Sequence, residues 1–289
     1  MRYIKFLPKN LLSRVVGRMV AMEHPKVAAH WARDAFAKHY KINLDEAEMS
    51  IDEYPNIGAL FTRRLKAGVR PIGEGIVHPC DGMLTAAQAI ASDSLLQAKG
   101  LHYSLSDLIA EPKTAIVSAT FIGGVALTYY LCPTDYHRVH SPIDGDVTKV
   151  THVPGTLWPV NDASVKWVSQ LFAINERLIF HLSTPLGPAL LVMVGATNVG
   201  KMTVSFDPSI STNLANSCCG LFCQGKVQTC DYIYPRADFT RAIHLVKGEE
   251  LGIFNMGSTV IVLYPPSFFM ERSGSGLPHK GLVRMGQSV

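Results

Sequence analysis

From about residue 76 onward the chain is a succession of short apolar runs rich in β-branched residues, each bounded by Gly, Pro or Asp. "TAIVSATFI", "VALTYYLC", "RLIFHLS", "ALLVMVGA", "TVSF" and "STVIVLY" follow one another in this way. Runs of that length and spacing predict strands, joined mainly as antiparallel neighbours. The expected fold class is therefore α+β, a mainly antiparallel β sandwich or barrel-like body preceded by helices. Two turns share a pattern, Pro79-Cys80-Asp81-Gly82 and Pro142-Ile143-Asp144-Gly145. Asp-Gly is a tight-turn signal, so turn formation alone explains both aspartates.

The first 55 residues have a different texture. Leu11, Leu12, Val15, Val16, Met19 and Val20 recur at helical intervals and make one broad apolar face. The first 22 residues carry Arg2, Lys5, Lys9, Arg14 and Arg18 and no acid before the last two positions or in them. Basic residues flanking an apolar face suit a helix lying in an anionic membrane surface; a helix packed on its own domain is the plainer alternative. A second helix is expected from Pro25 to Tyr40, with Trp31, Ala35 and Phe36 inward. The expected division is residues 1–55 as a membrane-associating helical segment and 56–289 as a β-rich catalytic domain. "RSGSGLPHKG", residues 272–281, reads as a loop or tail.

Composition narrows the function. Hydrophobic residues make up 47% and charged residues 17%, and the net charge is only +4, which does not point to nucleic acid. "ALLVMVGA" is far short of the roughly 20 apolar residues of a spanning helix, and the N-terminus lacks a signal-peptide layout. The six cysteines are too few for a secreted scaffold of this length, so a reducing, cytoplasmic setting is expected. Cys218, Cys219, Cys223 and Cys230 cluster without a C-x-x-C pair and read as inert thiols rather than a metal site.

Three stretches could carry chemistry. "GATNVGKM", Gly195 to Met202, approaches a phosphate-binding loop, but Met202 stands where a Ser or Thr would hold Mg²⁺ and a strand follows where a helix is needed. "DYHRVHSP" packs His137 and His140 close together, and in an extended segment they point to opposite faces. One would meet substrate or nucleophile and the other support the fold; periodicity leaves open which. Finally, "GIFNMGSTVIVLYPP" puts Ser258 at the mouth of a strand. A serine hydroxyl needs a base, commonly oriented by a carboxylate. Asp81, His140 and Ser258 supply these residue types, without the G-x-S-x-G elbow of α/β-hydrolases.

"NMGSTVIVLY" closely resembles the processing site of bacterial phosphatidylserine decarboxylases, where Leu-Gly-Ser-Thr is usual and Met256 here replaces the leucine. "LFTRRLKAGVRPI", "HPCDGML", "LLQAKGLHYSL", "YHRVHSPIDG", "LFAINERLIF", "GPALLVMVGATNVG" and the terminal "RMGQ" resemble that family in the same order. Residues 203–240 match less clearly. The resemblance implies a self-processing enzyme cut between Gly257 and Ser258 into a β chain, 1–257, and an α chain, 258–289, that remain together as a heterodimer, with room for a dimer of such pairs. It implies Asp81, His140 and Ser258 as the cleavage set, His137 in the substrate site, and a covalent pyruvoyl cofactor made from Ser258. The implied substrate is phosphatidylserine in an anionic membrane surface, the product phosphatidylethanolamine, and the place the cytoplasmic face of the cell membrane, held peripherally. No metal and no nucleic acid are implied.

Rival readings predict different observations. A membrane-associated serine hydrolase using the same three residues, and a binding or carrier module with a β-sandwich core, both require an intact chain. A pyruvoyl enzyme acting on a soluble amino acid leaves the N-terminal helix without a reason.

Overall fold

A computed structural model of the chain describes residues 9–98, 100–112, 119–197, 201–213, 229–235, 242–255, 258–271 and 276–289, with Ser258 as backbone only. Gly257, Met256, Cys218, Cys219 and Cys223 lie outside the described residues, as do Arg2 and Lys5. The strands are β1 Gly82–Ala89, β2 Ser94–Ala98, β3 Leu101–Ser104, β4 Val125–Leu131, β5 Arg138–His140, β6 Gly145–Val153 and β7 Arg177–Thr184. They continue with β8 Gly187–Gly195, β9 Met202–Val204, β10 Cys230–Ile233, β11 Ile243–Leu245, β12 Glu250–Phe254, β13 Ser258–Tyr264 and β14 Gly281–Val283.

Nine strands form one sheet in the order β10-β6-β7-β8-β13-β4-β1-β14, with β11 also on β6. Its pairings are antiparallel. A second sheet runs β5-β12-β9, and β2 and β3 pair with each other. The order does not close, so the body is an open, sandwich-like antiparallel fold rather than a barrel. β4, β8 and β13 are its centre, and Leu127, Tyr129, Leu191, Val192, Val260, Ile261 and Val262 are all buried. Burial of neighbours in sequence explains why these strands read as continuous apolar runs instead of alternating ones. Each such side chain contributes about 1.5–3 kcal/mol relative to exposure.

One expected strand and one expected tail turned out differently. Of "TAIVSATFI", residues 114–118 lie outside the described part, and 119–122 form a turn closed by Ile122 N donating to Ala119 O at 3.2 Å. The 272–281 tail ends by re-entering the sheet, where Gly82, Met83 and Leu84 of β1 pair with Val283, Leu282 and Gly281. A period-two pattern cannot develop over three residues, so β14 had no sequence signal.

The helical part comprises α1 Lys9–Val20, α2 Lys26–His39, α3 Ile57–Phe61 and α4 Leu105–Ile109 among its described elements. Asn56 caps α3 by accepting from Ala59 N at 2.8 Å. Ala37, Ile42, Tyr54 and Leu60 form a small separate core that joins α2 to α3. Arg33 of α2 is buried and donates from Nη1 to Tyr54 O at 2.6 Å. Phe36 packs on this cluster. Trp31 and Ala35 do not turn inward: Trp31 is 74% exposed, because the side of α2 that meets the body carries Arg33 and Ala37 instead. The same inversion holds in α1. Lys9 and Ser13 are buried, whereas Leu11, Leu12, Val15 and Met19 are exposed. Lys9 Nζ sits 4.0 Å over the Trp158 ring, and Asn10 Nδ2 donates to Gly155 O at 3.0 Å.

Candidate active site

β13 starts at Ser258, whose backbone pairs with Leu131, the last residue of β4, and with Gly195, the last of β8. On the far side of β4, Met83 pairs with Tyr130, which brings Gly82 level with Leu131. On the far side of β8, Gly195 N donates to Glu176 O at 2.8 Å. One end of the sheet thus carries Gly82, Leu131, Ser258, Gly195 and Glu176 side by side. Two interstrand spacings, about 10 Å, separate the backbones of Gly82 and Ser258. Gly82 has φ of 142°, and a Cβ there would meet Tyr130 O at 2.5 Å. Only glycine lets the turn bearing Asp81 enter β1 at this level.

Asp81 is buried and fully engaged. Arg70 Nε donates to its two oxygens at 3.0 and 3.2 Å, Arg70 Nη2 donates to Oδ2 at 2.6 Å, and Met285 N donates to Oδ1 at 2.8 Å. Arg70 also holds Glu46 at 2.7 Å, which Arg284 reaches at 3.2 Å. Burial works against the Arg70 charge, but hydrogen bonds to Asp81 and Glu46 outweigh it and keep the guanidinium firmly protonated. The Arg70 hydrogen bond likewise pulls the Glu46 carboxyl below its usual range.

His140 sits on the next segment, and its backbone N donates to Pro79 O at 2.8 Å. Its Nδ1 lies 2.8 Å from Gly248 O, which can only accept, so Nδ1 carries the proton. Nε2 is then the acceptor for Tyr136 Oη at 3.0 Å. Burial pushes the imidazole pKa down, against the Gly248 carbonyl and the charges of Glu250 and Asp81, and His140 is neutral at pH 7. The structure brings Asp81 and His140 onto adjoining segments without a hydrogen bond between them. The bond that orients His140 comes from a main-chain carbonyl, and Asp81 acts on it through charge.

His137 is 0% exposed. Its Nδ1 donates to Asp135 O at 2.9 Å, its ring lies 3.9 Å from that of Phe61, and its main-chain O accepts from Phe254 N at 3.0 Å. Burial pushes its pKa down to about 3, so Nε2 keeps its lone pair, and that atom has no hydrogen-bond partner among the described residues. Both histidines are buried near the segment that leads to Ser258, although strand alternation alone puts them on opposite faces. Asp144, in the other Pro-x-Asp-Gly turn, accepts from Lys247 N at 2.7 Å and shapes the entry to β6.

Sequence reasoning missed Arg70, Tyr136 and the main-chain groups of Gly248 and Met285. Arg70 and Tyr136 lie inside or beside stretches already singled out, but a buried arginine in a loop has no periodicity to mark it. Where a phosphate-binding loop would need a helix, β9 follows Lys201. Among the described residues no group of three or more His, Cys, Asp or Glu could hold a metal ion.

A family model described as phosphatidylserine decarboxylase matches residues 57–289. The chain belongs to the phosphatidylserine decarboxylase family. The phosphatidylserine decarboxylase proenzyme of Anaeromyxobacter sp. (strain K) is 42% identical over 268 residues, which cover 91% of this chain and 88% of that one. The proenzyme of Myxococcus xanthus (strain DK1622) is 37% identical over 292 residues, covering 100% and 96%. That of Shewanella loihica (strain ATCC BAA-1088 / PV-4) is 38% identical over 286 residues, covering 98% and 94%. The decarboxylase family model begins at the first residue of α3, whereas the Myxococcus relative aligns across α1 and α2 as well. An uncut serine hydrolase gains no support from these relatives.

Proposed function

We propose that this chain is a proenzyme that cuts itself between Gly257 and Ser258 and then decarboxylates phosphatidylserine to phosphatidylethanolamine. The observation that carries the reading is the position of Ser258. It opens a central strand, held by β4 and β8, at the sheet end where the turn bearing Asp81 enters β1 and where β4 ends before the segment carrying His137 and His140.

The cleavage chemistry follows from residue types and their environments. His140, neutral and anchored through Nδ1, offers Nε2 to take the Ser258 proton once Tyr136 releases it. The serine oxygen attacks the Gly257 carbonyl, and the peptide bond gives way to an ester. Loss of the Gly257 carboxylate by β-elimination, then of ammonia by hydrolysis, leaves a pyruvoyl group at position 258. Asp81, held by Arg70, favours the imidazolium that forms on His140.

The pyruvoyl ketone would supply the electron sink for breaking the carbon–carbon bond to the carboxylate. The residues fit such a group: His137 holds a buried, unpartnered Nε2 beside the strand that leads to it. His137 and His140, both neutral, are the candidates for moving the proton that replaces CO₂ on the headgroup. A β chain of 1–257 and an α chain of 258–289 would remain one body. β13 pairs on both sides, β14 pairs with β1, Gly286 N donates to His78 O at 3.0 Å and Val289 N to Ile76 O at 2.9 Å.

No helix among the described residues is long and apolar enough to cross a membrane. The exposed Leu11, Leu12, Val15, Met19 and Trp31, with Arg14 and Arg18 on the same helices, support a segment that lies on an anionic membrane surface. On that reading residues 1–55 bring the 56–289 body to the cytoplasmic face, where its substrate is. The test is the intact mass of the purified protein together with its decarboxylase activity. Two fragments split after Gly257 are expected, the smaller lacking an amine at its N-terminus, and Ser258→Ala should stay whole and inactive. A full-length wild-type chain with full activity would end the self-processing account.

A further inference from the structure

Arg63 is 4% exposed, yet its Nε and Nη1 have no hydrogen-bond partner among the described residues. Arg177, Arg70 and Arg33, the other arginines with buried side chains that the described residues enclose, do not behave this way. Arg177 spends Nε, Nη1 and Nη2 on the carbonyls of Leu108, Ala173, Asn175 and Asp107, and Arg70 spends its three nitrogens on Val69, Glu46 and Asp81. Arg33 likewise uses all three, on Asp34, Asp52 and Tyr54. Arg63 uses Nη2 alone, toward Thr134 O at 3.1 Å and Asp135 O at 3.4 Å. A buried cation with idle donors is costly to fold around and calls for an explanation.

The neighbour of those donors supplies one. Asp135 O, which accepts from Arg63, also accepts from His137 Nδ1. The guanidinium and the imidazole therefore share a carbonyl, and the two side chains together hold free donors on one and a free acceptor, Nε2, on the other. Idle donors and an idle acceptor on two side chains tied to one carbonyl match a headgroup that presents an anion and an N–H group. Arg63 follows α3, and α3 lies beneath the helices with the exposed apolar face: Asn56 Nδ2 donates to Ala21 O at 3.2 Å, and Leu60 packs with Ala37 of α2. The end of α3 that leads to Arg63 is thus packed against the helix that carries the exposed Trp31.

We infer that Arg63 is the residue that binds the phosphodiester of the substrate headgroup, with His137 Nε2 facing its amine. This rests on the reading of phosphatidylserine as substrate. The headgroup has a second anion, its carboxylate, but a cation there would oppose the reaction. That charge leaves with CO₂, so gripping it stabilises the ground state more than the transition state. The phosphodiester keeps its charge throughout, and its oxygens accept charge-assisted hydrogen bonds from a guanidinium.

The experiment uses full-length Arg63→Gln and Arg63→Lys beside wild type. Mass spectrometry first reads cleavage at Ser258. Decarboxylation is then measured per processed site on short-chain phosphatidylserine in mixed micelles and on an O-alkyl serine, which has the amine and carboxylate but no phosphate. For Arg63→Gln, kcat/KM on phosphatidylserine should fall about 10- to 100-fold, mostly through KM, the scale of a lost charged hydrogen bond. The preference over O-alkyl serine should shrink by the same factor, and Arg63→Lys should lie between. Equal losses on both substrates would place the arginine on the carboxylate or in the framework and overturn the inference. So would unchanged kinetics, or folded variants that fail to cut. A processed wild type that leaves phosphatidylserine untouched would instead overturn the substrate reading itself, and this inference with it.

Discussion

Tyr136 Oη lies 3.0 Å from Nε2 of His140 and occupies the lone pair that a general base must offer. Burial raises the pKa of the phenol, so Tyr136 is the donor in this bond and competes with any serine hydroxyl for the same atom. If His140 takes the Ser258 proton directly, Tyr136→Phe should cut at least as fast as wild type. Pulse-chase appearance of the 258–289 fragment measures this. A folded Tyr136→Phe protein that cuts 10-fold more slowly, the order of a lost acid–base partner, would make the phenol part of the proton path.

Asp81 and Arg70 form a buried ion pair at 2.6 Å, with side chains 10% and 7% exposed. Removing one member leaves a charge without its partner, so Arg70→Met should lower the unfolding free energy by about 3–5 kcal/mol. Asp81→Asn should block or greatly slow cleavage with the fold retained. Decarboxylation per processed site should stay near normal in this variant, because position 258 then has no hydroxyl to activate. His140→Ala should impair both steps. Urea titration, fragment mass and turnover per processed site read the three effects. Efficient cleavage by Asp81→Asn would remove the aspartate from the cleavage set.

His137, with its pKa near 3, and His181, pushed down to about 4 by burial and by Lys149, are both neutral when folded. Their unfolded-state pKa is about 6.5. Below that value the unfolded chain binds protons that the folded one refuses, so the stability they lend is complete above about pH 6.5 and is lost as pH falls toward 3–4. His140 works in the same direction. His137 alone accounts for up to about 4 kcal/mol of this loss. The urea midpoint of His137→Gln should fall less steeply between pH 6.5 and 4 than that of wild type. Parallel slopes would show that His137 titrates normally in the folded protein.

Leu12, Val15 and Met19 project from α1 at 41%, 44% and 62% exposure. Leu12→Asp with Val15→Asp should weaken sedimentation with phosphatidylserine-containing vesicles by 10-fold or more, since each buried apolar side chain contributes about 1.5–3 kcal/mol. The cut at Ser258 should proceed as before, because it is internal to the sheet. Vesicle binding equal to wild type would place this face against something other than lipid.

Much of this protein could be read locally. Continuous apolar runs name β4, β8 and β13 as strands, because a strand covered on both faces needs apolar residues at every position; that they lie at the centre of the sheet is decided by the pairing. Asp-Gly and Gly-Ser-Thr mark the turn before β1 and the mouth of β13, since tight backbone geometry restricts the residue types. The apolar stripe of α1 was equally plain in its spacing. Which way that stripe faces was not, because a helical period is the same against protein or lipid; only the docking of Lys9 on Trp158 and of Asn10 on Gly155 turns Leu11 and Leu12 outward. The partners of the site residues also depend on distant contacts. Arg70 and Met285 meet at Asp81 from 11 residues before it and 204 after it, and Gly248 reaches His140 from 108 residues away. No local pattern encodes such meetings. They exist because β14 pairs with β1 at one edge of the large sheet and β12 pairs with β5 in the smaller one, which brings segments far apart in the chain together.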